Sequence, residues 1–167
     1  EVHTGYFLGI PPALAYGEAA AGERYAALSR DLDLPHLYFD LGRDLSICGA
    51  GFALVWAERS GVRLCRCDPC DCFAIRSSEA GSPLLAAVRL LAGGKGETRG
   101  VLYTAERLIP FVWDGTGVTL GTAEENLLHT IPLLPFYNNC QGVGDFEMVT
   151  GLVAAYNLLL SGALDDG

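Results

Sequence analysis

The sequence predicts an α+β domain in which helices precede and follow a block of antiparallel strands. Three observations carry that prediction. Leu34, Leu37, Leu41, Leu45 and Cys48 recur at helical spacing, which places them on one face of a helix. Between residues 52 and 113, short runs rich in Val, Leu, Ile and aromatics alternate with Gly, Ser, Pro and charged breaks, the pattern of strands joined by turns. Residues 145–164 form a long apolar run opened by Asp145 and Glu147, and acidic side chains suit the partial positive charge at a helix N-terminus.

Taken in order, residues 1–8 read as the end of a helix, closed by Gly9 and followed by Pro11 and Pro12. Glycine ends helices by taking the left-handed conformation, and proline cannot continue them. A short extended piece is expected over 13–16 and a short helix over 22–32. Asp33 is the expected N-cap of the next helix, with Pro35 in its first turn, and Gly49 and Gly51 close it. Strands over 52–56 and 62–67 flank Arg59-Ser60-Gly61, a hairpin signal. Segments 73–76, 84–91, 100–105 and 108–113 continue as an antiparallel meander, with Gly93-Gly94-Lys95-Gly96 as a loop tip. Residues 131–137 form a further strand that Pro132 and Pro135 confine to an edge, because proline has no N–H to donate to a ladder. The last helix, 145–164, is apolar on nearly all sides and so expects neighbours on both faces. There is no internal repeat and no low-complexity linker.

With 167 residues, half of them apolar, the chain has enough material for one core, and residues 1–167 read as a single domain. Charged residues make up only 19%, which excludes a disordered chain. No stretch offers about 20 apolar residues free of polar breaks; the nearest, 148–164, is interrupted by Thr150, Asn157, Ser161 and two glycines. No membrane partner is expected. The formal net charge is -9, and Lys95 is the only lysine among eleven bases. That balance argues against phosphate-neutralising nucleic-acid binding, which needs a basic patch. It suits a wall past which nucleic acid slides, because such a wall repels phosphates. Glu1 opens the chain with no basic and apolar leader. Asp165 and Asp166 follow the last helical pattern, where acids oppose the helix dipole. Both ends therefore read as cuts in a longer protein.

The sharpest local feature is the run Cys65-Arg66-Cys67-Asp68-Pro69-Cys70-Asp71-Cys72. Four thiolates can hold zinc tetrahedrally, which makes a small zinc-binding interaction module on Cys65, Cys67, Cys70 and Cys72 the alternative function. Against it, Cys65 and Cys67 are two apart on one strand and face the same way, and cysteine also packs as a small hydrophobe. A nucleophilic Cys140 served by His129, His36 or His3 lacks a glycine-rich oxyanion turn. Gly142-Val143-Gly144 opens like a dinucleotide loop but has no third glycine, and Asp145 puts a negative charge where pyrophosphate would sit. No catalytic residue, cofactor or enzyme activity is expected. Composition alone leaves an acidic α+β interaction domain.

Two stretches resemble the portal proteins of tailed bacteriophages. The first runs from Leu41-Gly42-Arg43-Asp44 through Gly49-Ala50-Gly51-Phe52 to Trp56, then the hairpin and Asp68-Pro69. The second is Ile131-Pro132-Leu133-Leu134-Pro135-Phe136-Tyr137-Asn138-Asn139, then Gly144-Asp145-Phe146-Glu147 and a helix containing Ala155-Tyr156-Asn157. The opening Gly5-Tyr6-Phe7-Leu8-Gly9-Ile10-Pro11 is similar to the family's early helix exit. Order and spacing agree along nearly all of the chain. The cysteine cluster departs from the family pattern, and His129-Thr130 stands where a glycine-containing turn is usual.

The resemblance implies the wing-like body of a portal subunit, with the stem, clip and crown outside this chain. It implies a homo-oligomeric, dodecameric ring when full length, set at one capsid vertex of a virion assembled in the host cytoplasm. Double-stranded DNA would pass through it without sequence specificity during packaging and release. Terminase, capsid and tail-connector proteins would be its partners, and the ATPase would belong to the terminase. In that scheme Asn138, Asn139, Gly144, Asp145, Phe146 and Glu147 form a structural motif. Asn side chains shape the strand-to-helix loop, and Asp145 caps the helix.

Overall fold

The computed structural model describes residue 10 and residues 14–59, 61–93 and 96–165. The expected helix exit over 1–8 with Gly9, Pro11 and Pro12, together with His3, Ser60 and the Gly94-Lys95 tip, lies outside the described residues. Three described helices, α1 (Ala19–Asp31), α2 (Leu34–Cys48) and α3 (Glu147–Asp165), bracket nine strands. These are β1 (Ala50–Glu58), β2 (Gly61–Cys67), β3 (Cys72–Arg76), β4 (Leu84–Leu91), β5 (Thr98–Tyr103), β6 (Arg107–Trp113), β7 (Val118–Leu120), β8 (Glu124–Glu125) and β9 (Leu133–Tyr137). The architecture is α+β, as the sequence predicts.

Helix α1 starts three residues before the expected position, because Ala19, Ala20 and Ala21 are strong helix formers. Residues 14–16 belong to no helix or strand. Asp33 does occupy the N-cap position of α2, but its backbone is left-handed (φ 48°) and its carboxylate makes no capping bond. The tight α1–α2 turn imposes that conformation, whereas side-chain capping goes with an extended N-cap backbone. Gly49 ends α2 with φ 74° and donates its N–H to the Leu45 carbonyl at 2.9 Å.

The strands form two antiparallel sheets, the β1–β2 hairpin going to one and the expected meander over 73–113 forming β3 to β6 of the other. The small sheet has the order β2-β1-β9, and the large one runs β3-β4-β5-β6-β7 with β8 also paired to β6. The break falls at Asp68, whose carboxylate accepts the Cys70 N–H at 3.0 Å and caps a single 3-10 turn, Pro69–Asp71. Pro69 cannot extend the β2 ladder, so the chain steps to the second sheet there. Strand β9 lies at an edge of the small sheet, where Pro135 is tolerated, and Pro132 falls just before the strand.

Register decides the layering, since residues directly opposite share a face. Phe52 stands opposite Cys67 and Pro135, and Leu54 opposite Cys65 and Leu133. That face meets Cys72, Ala87 and Tyr103 of the large sheet in the main core, where Leu133 is fully buried. The opposite face presents Ala53 and Leu64 to Leu34, Leu37 and Leu41 of α2. The small sheet is therefore the middle layer between α2 and the large sheet.

Candidate assembly interface

Strand β9 runs into a loop that ties the start of α3 to the end of α2. Asn138 donates its Nδ2 to Asp145 Oδ1 at 2.7 Å and to the Val143 carbonyl at 3.2 Å. Asn139 Nδ2 reaches the same carbonyl at 2.8 Å, while its Oδ1 accepts the Gln141 and Val143 N–H groups. The second oxygen of Asp145 accepts the Ser46 hydroxyl at 2.7 Å, and the Asp145 N–H donates to the Ser46 carbonyl at 2.8 Å. The loop also packs by backbone alone. A Cβ on Gly144 would land on the Ile47 carbonyl, and one on Gly49 would land on that of Gly142. Of the six motif residues, Asn138, Asn139, Gly144 and Asp145 thus converge on one corner of the fold, Phe146 follows at its exit, and Glu147 stands in the first turn of α3. Phe146 is half exposed.

Helix α3 leaves that corner with its apolar residues in solvent. Every residue from 145 to 161 is exposed, including Met148 at 89%, Leu152 at 71% and Leu158 at 75%. Its sequence carries no charge between residues 148 and 164. The neighbours that the all-round apolar pattern expects are not supplied by the described residues.

Two further apolar surfaces escaped the sequence reading. The outer face of the large sheet aligns Phe73 with Val88, Val88 with Leu102, Leu102 with Ile109, and Phe111 with Leu120. Phe73 and Trp113 remain nearly half exposed and Leu120 62% exposed. The signal was there: 84–88 and 108–113 are apolar at consecutive positions, and a sheet wetted on one face alternates instead. The second surface is a groove of about 480 Å³ between α1, α2 and the small sheet. Leu28, Leu37, Tyr38, Leu64, Leu134 and Phe136 contribute to its walls, and no charged residue does.

The four thiols of the cysteine cluster are not gathered around one point. Cys67 and Cys72 are buried in the main core, Cys65 packs against them, and Cys70 is exposed on the 3-10 turn. Among the described residues, no three His, Cys, Asp or Glu side chains gather where they could hold a metal ion. The zinc reading of Cys65, Cys67, Cys70 and Cys72 finds no support in this arrangement: β2 turns two thiols inward, and Cys70 is exposed on the turn at Pro69. Cys67 accepts the Cys72 S–H and faces the Arg89 guanidinium, and together these bring its thiol down to about 7 despite burial. Cys72, by giving its proton to that bond, is pushed up. Cys140 is exposed in the loop. His36 pairs with Asp40 on its own helix at 3.5 Å, and His129 occupies a left-handed turn.

No helix among the described residues is long and apolar enough to cross a membrane. Comparison with curated proteins found no match. A family model described as phage portal protein, SPP1 Gp6-like, matches residues 1–166. That span takes in the β1–β2 hairpin, the Asp68-Pro69 step, the Asn138-Asn139 loop and the exposed helix together, and the chain therefore belongs to the phage portal protein family.

Proposed function

We propose that this chain is the wing-like body of a portal subunit, and that copies of the full-length product close into a dodecameric ring at one capsid vertex. Double-stranded DNA passes through the ring during packaging and release. Terminase docks on it first and tail-connector proteins later. The role is mechanical, with no bond made or broken by this chain, and residues 1–167 act as one domain to which stem, clip and crown are added. The observation that carries the reading is the family match over essentially the whole chain.

Physical chemistry supports the same role. A net charge of -9 keeps a passing duplex from adhering, because like charges raise the cost of close approach. A closed ring needs heterologous contacts, in which one face of a subunit meets a different face of the next. The chain offers several large apolar surfaces for such contacts. Asn138, Asn139 and Asp145 serve structure in this scheme, fixing the exit of α3, and contact no ligand. Electron microscopy of the purified full-length product tests the reading. Annular particles with a central channel are expected, and a population of separate monomers at micromolar concentration overturns it.

A further inference from the structure

Two buried thiols meet where the chain steps from the small sheet to the large one. We propose that Cys67 and Cys72 are a peroxide-sensitive pair that closes to a disulfide, joining the end of β2 to the start of β3. The reaction takes place within the chain rather than on a substrate, and it does not depend on the ring.

Placement carries the inference. Cys67 is the last residue of β2 and Cys72 the first of β3, on either side of the Pro69–Asp71 turn. Two hydrogen bonds tighten that turn, from the Asp71 N–H to the Asp68 carbonyl at 3.1 Å and from the Cys72 N–H to that of Pro69. Both thiols belong to the main core, at 2% and 8% exposed, and the Cys72 S–H donates to the Cys67 sulfur. Arg89 stands directly opposite Cys72 on β4. Besides burial, the groups acting on its guanidinium are Cys67, Tyr103, Cys65 and Cys72. A cationic neighbour and a donated S–H both favour thiolate over thiol. The fold thus keeps one sulfur of the pair charged and sets the other against it, an arrangement that packing alone does not require.

The oxidant is hydrogen peroxide, which is close to water in size and so reaches a core thiol through small local openings. The Cys67 thiolate attacks one peroxide oxygen; the O–O bond breaks, hydroxide leaves, and Cys67 becomes a sulfenic acid. The Cys72 sulfur then attacks the Cys67 sulfur. An S–S bond forms, the S–O bond breaks, and the Cys72 proton leaves with the hydroxyl as water. The two sulfurs together give up two electrons, and one peroxide is reduced to hydroxide and water. The first step prepares the second. Cys72 is held protonated chiefly by its bond to the Cys67 thiolate and then by burial, with Arg89 acting the other way. A sulfenic acid carries no charge, so oxidation of Cys67 releases that hold and leaves the guanidinium to favour the Cys72 thiolate. Cys65 is also hydrogen-bonded to Cys67. The two stand two residues apart on one strand, however, with their Cα atoms about 6.7 Å apart, the far edge of what a disulfide spans. In a reducing compartment the Cys67–Cys72 pair stays open, and in an oxidising one it closes.

The test uses the full-length protein, purified with reductant and then freed of it. It is treated with hydrogen peroxide at neutral pH, unfolded in N-ethylmaleimide and digested with trypsin. Cleavage after Arg63, Arg66 and Arg76 leaves Cys65 in peptide 64–66, and Cys67, Cys70 and Cys72 in peptide 67–76. Mass spectrometry is expected to show peptide 67–76 short of two hydrogens and carrying a single maleimide, placed on Cys70 by fragmentation, while Cys65 stays labelled. Dithiothreitol added before labelling is expected to restore all three maleimides. Closure is expected to be faster in the native protein than in protein unfolded in urea. In Cys72→Ser, whose hydroxyl still donates to the thiolate, the sulfenic acid lacks its partner, and dimedone is expected to label Cys67. A link that takes in Cys48, Cys65 or Cys70 in place of the pair overturns the inference. So does a wild-type Cys67 driven on to sulfinic or sulfonic acid, or a pair still open after exposed Cys70 has been oxidised. Closure no faster in the native protein than in the unfolded one overturns it as well, since nearness in sequence would then account for the bond. The portal reading stands or falls separately, on the annular particles.

Discussion

Arg66 holds Asp44 through two hydrogen bonds, Nε to Oδ2 at 2.5 Å and Nη2 to Oδ1 at 2.8 Å, across the contact between β2 and α2. The Asp44 side chain is 5% exposed and that of Arg66 29%. Arg66 stands opposite Ala53 on the face that α2 covers, so it reaches the helix without crossing the sheet. A guanidinium fork matches a carboxylate edge to edge, a fit that a lysine cannot reproduce. The pair fixes how α2 lies on the small sheet, and with it the walls of the groove.

Removing one partner is therefore worse than removing both. Arg66→Ala leaves a buried carboxylate without a counter-charge and is expected to destabilise the fold by about 3–5 kcal/mol. Arg66→Lys is expected to fall between that variant and the wild type. The double variant Asp44→Leu with Arg66→Met is expected to recover most of the loss, because no charge is then left buried. Urea unfolding curves check the order of the four proteins, and equal losses in the single and double variants would contradict it.

His129 has φ 49°, the left-handed backbone that glycine adopts without strain. This is the position where the sequence shows His129-Thr130 in place of a glycine-containing turn. The turn is held by Asn126, which is 2% exposed and donates its Nδ2 to the Thr104 and Thr130 carbonyls, each at 2.7 Å. His129→Val is expected to cost about 1–2 kcal/mol, because a β-branched side chain tolerates that backbone poorly. His129→Gly is expected to be neutral or stabilising by up to about 1 kcal/mol, relief of strain being partly offset by the entropy of the unfolded chain. Thermal melting of the two variants gives the comparison directly.

The Cys67 thiol gives the core a dependence on pH. It is brought down to about 7 by the Cys72 S–H and by Arg89, while an unfolded cysteine ionises at about 8.5. Between these values the unfolded chain binds a proton that the folded chain has released, so stability rises with pH across that window. The gain is lost as pH falls through 7. Above about 9 the trend reverses, because Cys65, Cys72 and Tyr103 are all raised and the folded state retains protons that the unfolded state sheds. Urea midpoints measured from pH 6 to 10 in the presence of reductant are expected to pass through a maximum near the middle of that range. Cys67→Ser is expected to remove the rising limb and leave the fall.

Helices and long strands were legible in the sequence, because their signal is periodic. Leu34, Leu37 and Leu41 mark the buried face of α2, and β4 occupies 84–91 as the run of apolar residues indicates. What escaped was two-dimensional information. Nothing in one dimension says that Asp68-Pro69 sends the chain from one sheet to another, since a turn within a sheet carries the same residues. Strands β7 and β8, of three and two residues, are too short to show a period. The four thiols read as a cluster because they are adjacent in sequence, whereas strand direction and the 3-10 turn separate Cys70 from the rest. Asp44 and Arg66 each sit inside a stretch singled out for other reasons, and nothing in the sequence marks them as partners. The Asn138–Asp145 loop was legible only as a pattern resembling a family, and its partner Ser46 lies 99 residues away.

That long-range tie gives the last expectation. Gly144 and Gly49 are where α2 and the loop meet backbone to backbone, and both positions reject a side chain. Gly144→Ala would drive its Cβ into the Ile47 carbonyl, so either the loop lifts or the end of α2 unwinds. Gly49→Ala adds a positive φ of 74° to its collision with the Gly142 carbonyl. Each is expected to cost about 2–4 kcal/mol, combining steric displacement with loss of the Ser46–Asp145 bonds. Ser46→Ala removes one hydroxyl donor and is expected to cost only about 1 kcal/mol. The distinguishing readout is hydrogen exchange. If the corner anchors α3, the glycine variants speed exchange in residues 144–150 more than in β4 or β5, because the anchored segment opens locally before the core does. Uniform acceleration across both sheets would instead mean that the corner supports the whole fold and has no special hold on the helix.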